Sequence, residues 1–134
     1  MQHTIHTYDA FVAVLRKDPV AIFNEYTPFK ADLDHAVKGI AGEAGEIVDA
    51  VKKFTVYNQL YDDARIAHIV EELGDMEFYL QQLRNAIGVS REDCINANIA
   101  KLCKRYPTVT YTDANAKLRL DKAAEQQQTG EPTL

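Results

Sequence analysis

Two short stretches hold most of the chemistry available to this sequence. Glu43-Ala-Gly-Glu46 and Glu72-Leu-Gly-Asp75 each space two carboxylates three residues apart, which on a helix sets both on one side. Two such pairs on facing antiparallel helices would crowd four negative charges into one cleft. That is unfavourable unless a positive charge sits among them. Hard divalent cations with oxygen ligands supply that charge, and Mg²⁺, with Mn²⁺ able to substitute, suits the donor set. Further along, Asn98, Lys101 and Arg105 recur at intervals of three and four. On a helix they would share a face able to grip a phosphate chain and a sugar or base. Taken alone, that stripe also fits compensation of a helix C-terminal dipole in solvent.

These residues need helices to position them, and the apolar pattern provides them. Across residues 31–55, Leu33, Val37, Ile40, Ala44, Ile47, Val51 and Phe54 step by alternating four and three, a heptad seam of a helix packed lengthwise on others. Across 64–87, Ile66, Ile69, Leu73, Met76, Leu80, Leu83 and Ile87 repeat the pattern. One residue back from the first seam lie Ala36, Gly39, Glu43, Glu46, Ala50 and Lys53; one back from the second lie His68, Glu72, Asp75, Tyr79 and Gln82. Both carboxylate pairs therefore have the same offset from their seams, which two antiparallel helices would turn toward one cleft. Gly39, Gly42 and Gly45 cost a helix about 1 kcal/mol each relative to alanine, so close approach of a packed neighbour or clearance for a ligand is expected there.

The remaining elements follow from local signals. Thr7 caps a helix over 8–16, the Asp18-Pro19 step breaks it, and a short helix covers 20–26. Residues 56–63 read as a loop. Gly88 stops the second long helix, and Ser90-Arg-Glu-Asp93 caps the next, which ends before Pro107. Residues 108–112 form a short β-like connector, Thr112 caps a last helix over 113–124, and the polar stretch 125–134 is expected to be disordered. His3 and His6 read as solvated residues. The expectation is thus one all-α domain over 1–124, a helical bundle with two long antiparallel central helices, followed by a disordered tail.

Composition removes several function classes. At 134 residues with 46% hydrophobic and 26% charged residues, the chain is an ordinary single globular domain. A formal net charge of −5 gives no footprint for nucleic acid. No apolar run reaches a membrane span, and Met1-Gln-His-Thr lacks the form of a signal peptide. Cys94 and Cys103 sit too far apart along one helix to bridge. A cytoplasmic protein with free thiols is expected. There is no Gly-rich phosphate loop, no G-x-S-x-G elbow and no Cys-x-x-Cys pair for zinc. Neither Glu43 nor Glu72 is followed by a histidine three residues on, which disfavours a di-iron site. An all-carboxylate site beside cations suits a metal-bound polyphosphate, and so phosphoanhydride hydrolysis.

Three blocks carry a resemblance: HAVKGIAGEAGEIVDAVKK from His35, EELGDMEFYLQQL from Glu71 and NIAKLCKRYP from Asn98. In this order and spacing, over about 33–107, they resemble the MazG-like all-α nucleoside triphosphate pyrophosphohydrolases. The resemblance implies hydrolysis of a nucleoside triphosphate, often a deoxy or non-standard one, between the α and β phosphates to a monophosphate and pyrophosphate. It implies Mg²⁺ on Glu43, Glu46, Glu72 and Asp75. One of these, or Glu71, would orient the attacking water. It further implies phosphate contacts from Lys101 and Arg105, with Asn98 near the nucleoside. Lys53 is a further phosphate candidate, and Tyr79 could stack on a base or sugar or be a core-edge tyrosine. His35 and His68 read as structural. The paired acids of the family before the first motif are here Ala41-Gly42-Glu43, so any extra ligand from that position is missing. The family forms dimers or tetramers, and two apolar seams on a chain this short also point to a homo-oligomer. The competing readings are a non-catalytic helical oligomer that binds nucleotide or metal as a sensor, and a carboxylate-bridged redox protein.

Overall fold

The computed structural model describes residues 7–122 of the chain. His3, His6 and the 125–134 tail lie outside the described residues, as do the last two residues of the expected 113–124 helix. Every regular element among the described residues is helical: α1 (Tyr8–Leu15), α2 (Pro19–Asn24), α3 (Pro28–Thr55), α4 (Asp63–Ile87), α5 (Arg91–Arg105) and α6 (Asp113–Leu118). The fold is all-α, with α3 and α4 as two long antiparallel helices.

The helix starts follow the capping chemistry of the sequence. Oxygens of Thr7, Asp18, Thr27 and Thr112 accept the backbone N–H groups of Ala10, Val20, Lys30 and Asn115. At α5 Ser90 Oγ accepts from Asp93 N at 3.0 Å while Asp93 Oδ2 accepts from Ser90 N at 2.9 Å, a reciprocal capping box. Each cap satisfies a donor the helix leaves orphaned and is worth about 1 kcal/mol. Pro28 opens α3 at its first position, where its missing N–H costs nothing. The helix therefore starts three residues earlier than its apolar repeat. Gly88, at φ 71°, ends α4 as expected.

Contacts group the chain into two compact units, Met1–Ala86 and Ile87–Leu134. In the first, α3 and α4 touch along a ladder of pairs that ascends one helix as it descends the other. Gln82 Nε2 donates to Asp32 Oδ1 at 3.3 Å, the Tyr79 ring lies on Gly39 and Arg65 Nη1 donates to the Ala50 carbonyl at 3.3 Å, while in the loop before α4 Tyr61 meets Phe54 at 5.0 Å between ring centroids. Arg65 also donates to the Leu60 carbonyl and to Gln59 Oε1, tying down the α3–α4 loop. Asn58 turns that loop with a φ of 57°, a left-handed conformation asparagine tolerates.

The line of closest approach runs through the stripe one residue back from the apolar seams. Ala36 and Ala50 on α3 are fully buried and Glu72 on α4 nearly so, whereas Val37, Val51, Phe54, Ile66 and Leu73 on the seams remain exposed. The missing side chain of Gly39 leaves room on this stripe for the Tyr79 ring.

The second unit carries α5 and α6. Arg105 Nε and Nη2 donate to Asp121 Oδ1 and Oδ2 at 2.8 and 2.7 Å, a bidentate pair. Asp121 is 2% exposed. Ile99, Leu102, Cys103, Tyr106, Val109 and Tyr111 line an apolar groove of about 300 Å³. The 108–112 connector, expected to be β-like, is a turn: Val109 takes a left-handed conformation with φ 54° and donates its N–H to the Tyr106 carbonyl. A β-branched residue there is strained. Residue Arg119, at φ 48°, ends α6 at Leu118, short of residue 124.

Candidate active site

The antiparallel pairing of α3 and α4 brings Glu43 opposite Glu72 and Asp75. One carboxylate oxygen from each of the three lies within 4.8 Å of the others. They differ in setting: Glu72 is buried, Glu43 half-buried and Asp75 exposed. Negative charge this close raises the affinity of Glu43 for its proton. Its carboxyl is pushed above the ordinary glutamate range by partial burial first, then by hydrogen bonding to Glu72, and then by the charges of Asp75, Glu72 and Glu46.

A divalent cation would relieve that strain, and the donors fit one. They are hard oxygens, open to solvent on the Asp75 side, and Glu43 is destabilised by negative charge that a cation would offset. Glu46 lies one turn along α3, exposed, outside the three-carboxylate group although its charge is felt by Glu43.

Around this centre the first unit adds several groups. His68, one turn before Glu72, places Nδ1 3.2 Å from Glu72 Oε1 and 3.9 Å from Glu71 Oε2. With Glu71 and Glu72 it forms a second group whose ligand atoms fall within 4.8 Å. Lys53 is paired with Asp49 Oδ2 at 2.7 Å. That bond is the main cause holding the Asp49 carboxyl below its usual range.

Tyr79, one turn beyond Asp75, is half-buried. Its ring lies against the backbone of Gly39, edge-on to His35 at 5.6 Å and to Phe78 at 5.3 Å. Gln82 Nε2 lies 3.1 Å from His35 Nδ1, and its buried Oε1 has no hydrogen-bond partner among the described residues.

In the second unit, Asn98 and Lys101 are exposed on α5. Arg105 is engaged by Asp121, which raises the guanidinium's affinity for its proton and holds the Asp121 carboxyl down at about 2.

Three partnerships were not drawn from the sequence: His68 with Glu72, Asp49 with Lys53, and Asp121 with Arg105. The first two carry a local signal, a spacing of four on one helix. The third joins residues sixteen apart across a chain reversal, and no periodicity marks it.

A family model described as MazG nucleotide pyrophosphohydrolase domain matches residues 32–110. That span takes in α3 from residue 32 onward, all of α4 and α5, and all three sequence blocks. No curated protein and no solved structure matches the chain.

Proposed function

Because the chain belongs to the MazG nucleotide pyrophosphohydrolase domain family, we propose that it hydrolyses a nucleoside triphosphate, standard or modified, between the α and β phosphates to give a nucleoside monophosphate and pyrophosphate. The observation that carries the reading is the convergence of Glu43, Glu72 and Asp75 with the proton affinity of Glu43 raised. Such a group is costly in a fold unless its charge is used.

In this reading Glu43, Glu72 and Asp75, with Glu46 at the rim, hold Mg²⁺ or Mn²⁺. An ion held by these residues would screen the triphosphate and lower the cost of the negative charge that grows on the departing group. Glu71, exposed beside Glu72, or one of the four carboxylates accepts the proton of the attacking water. The water oxygen bonds to phosphorus, the bridging P–O bond breaks, and pyrophosphate leaves with the bridging oxygen. Lys53 serves the phosphates from a position already balanced by Asp49, and Tyr79 borders the nucleoside. Asn98, Lys101 and Arg105 are the proposed donors from α5, Arg105 through the guanidinium protons that Asp121 leaves over.

The same proposal treats 1–124 as one working domain and the molecule as a homo-oligomer. The seam residues Phe54, 42% exposed, and Leu73, 48% exposed, support a second copy as their cover. A sedimentation run showing only the 15.1 kDa chain would overturn this. No described helix is long and apolar enough to cross a membrane. The free, exposed Cys94 and Cys103 suit a reducing cytoplasm.

The test is incubation with Mg²⁺ and a panel of ordinary and modified nucleoside triphosphates, with monophosphate and pyrophosphate both quantified. Glu72→Gln and Asp75→Asn should each lower turnover by about 100-fold or more, with helicity near that of the parent. Turnover that survives both substitutions would remove these residues from the site. A chain that binds nucleotide without turnover would be a sensor or interaction module.

A further inference from the structure

Glu72 belongs to both groups of possible ligands found among the described residues, with Glu43 and Asp75 on one side and with His68 and Glu71 on the other. Its side chain is 10% exposed, so it has almost no water to hold it in place. A carboxylate so buried, facing two others, needs a donor to fix its orientation. His68 is placed to supply one: Nδ1 stands 3.2 Å from Oε1, one helical turn away. Both the charged imidazole and one neutral tautomer carry a proton at Nδ1. A hydrogen bond from Nδ1 would therefore not depend on the charge of the ring.

Resting on the metal-site reading above, we propose that His68 is a positioning residue for Glu72. Its Nδ1–H holds Oε1 and so aims the remaining lone pairs of the carboxylate at the ion shared with Glu43 and Asp75. His68 does not touch the ion or the substrate. The hard, all-oxygen character of the other donors suits an ion that imidazole does not favour. Hydrogen bonds behind a ligating carboxylate are worth about 10- to 100-fold in metal affinity, because the free carboxylate otherwise spreads over several rotamers and must be ordered when the ion arrives.

The experiment measures Mn²⁺ binding by the full chain without nucleotide, from the electron paramagnetic resonance signal of free Mn²⁺ at one fixed pH for all variants. His68→Ala should weaken binding by about 10- to 100-fold. His68→Asn, whose side-chain amide can donate from near the Nδ1 position, should recover most of that loss. In turnover, His68→Ala should raise the Mg²⁺ concentration needed for half-maximal rate, with kcat at saturating Mg²⁺ changed much less. A merely structural role would not move the metal dependence selectively.

Unchanged Mn²⁺ affinity in a folded His68→Ala chain overturns the proposal, and so does an equal loss in His68→Asn, which would make the imidazole itself a ligand or a packing group. If the parent chain binds no Mn²⁺, or if Glu43→Gln and Asp75→Asn leave its binding unchanged, the metal-site reading itself fails. Circular dichroism of each variant separates misfolding from loss of binding, and His68→Asn keeps the question decidable if His68→Ala unfolds.

Discussion

Gly39→Ala tests how closely α3 and α4 approach. A Cβ added at Gly39 would fall inside the contact distance of Cγ, Cδ1 and Cε1 of the Tyr79 ring. Cγ is the root of the ring, so rotation about the ring axis cannot clear it; the side chain must leave its rotamer or the helices must part. Overpacking of this kind costs about 1–3 kcal/mol, while replacing a helical glycine by alanine returns about 1 kcal/mol. The net is a destabilisation of about 0–2 kcal/mol. Gly42 and Gly45 lie on the same helix with nothing within 4 Å of an added Cβ, so only the favourable term remains and alanine there should stabilise by about 1 kcal/mol. For a chain of this length each kcal/mol moves the melting temperature by about 4 °C. Thermal denaturation followed by circular dichroism should place Gly39→Ala at or below the parent and Gly42→Ala and Gly45→Ala a few degrees above it. If Gly39→Ala rises as much as Gly42→Ala, Tyr79 does not lie on Gly39 and the pairing register of α3 and α4 is wrong.

Other perturbations address the charges. Because the Glu43 carboxyl is raised, the native state holds its proton more tightly than the unfolded chain between the ordinary value of 4.5 and its folded value. Stability from this residue should rise as pH falls through that window and be lowest, and constant, above it. Added Mg²⁺ should raise the melting temperature at neutral pH, and Glu43→Gln should remove the window and weaken the Mg²⁺ effect; melts across pH with and without the ion check both. Asp121 behaves oppositely: held at about 2 by Arg105 against an ordinary 3.8, it stabilises the fold above 3.8 and loses that contribution as pH falls toward 2. Asp121→Asn should lower the melting temperature at neutral pH and flatten the acid limb of an unfolding titration, and an unchanged limb would deny the pair its role.

Much of the local structure was legible because it is written in adjacent residues. Thr7, Ser90 and Thr112 cap their helices through oxygens that reach a backbone N–H three residues on, and Gly88 stops α4 because it alone of its neighbours enters the left-handed region without a Cβ clash. The spacing of Glu43, Glu46, Glu72 and Asp75 likewise fixed which acids share a side of each helix, since the rotation per residue is a property of the helix itself. The opening of α3 at Pro28 was less legible, because proline reads as a breaker unless its place at a first helical position is recognised.

The sequence by itself determined the helices, their ends and the angular position of each acid on its own helix. Only the tertiary structure decided how α3 and α4 are rotated about their axes to meet. That rotation sets Ala36, Gly39 and Ala50 on the line of contact, buries Glu72 and leaves the seam at Val37, Val51 and Leu73 exposed. It also put Glu43 with Glu72 and Asp75 while Glu46 stayed at the rim, and engaged Lys53 with Asp49 and Arg105 with Asp121. Periodicity is a relation within one helix, whereas the facing of two helices depends on which side chains are small enough for the backbones to approach. The destination of a long cation depends on which acid the chain reversal brings within its reach.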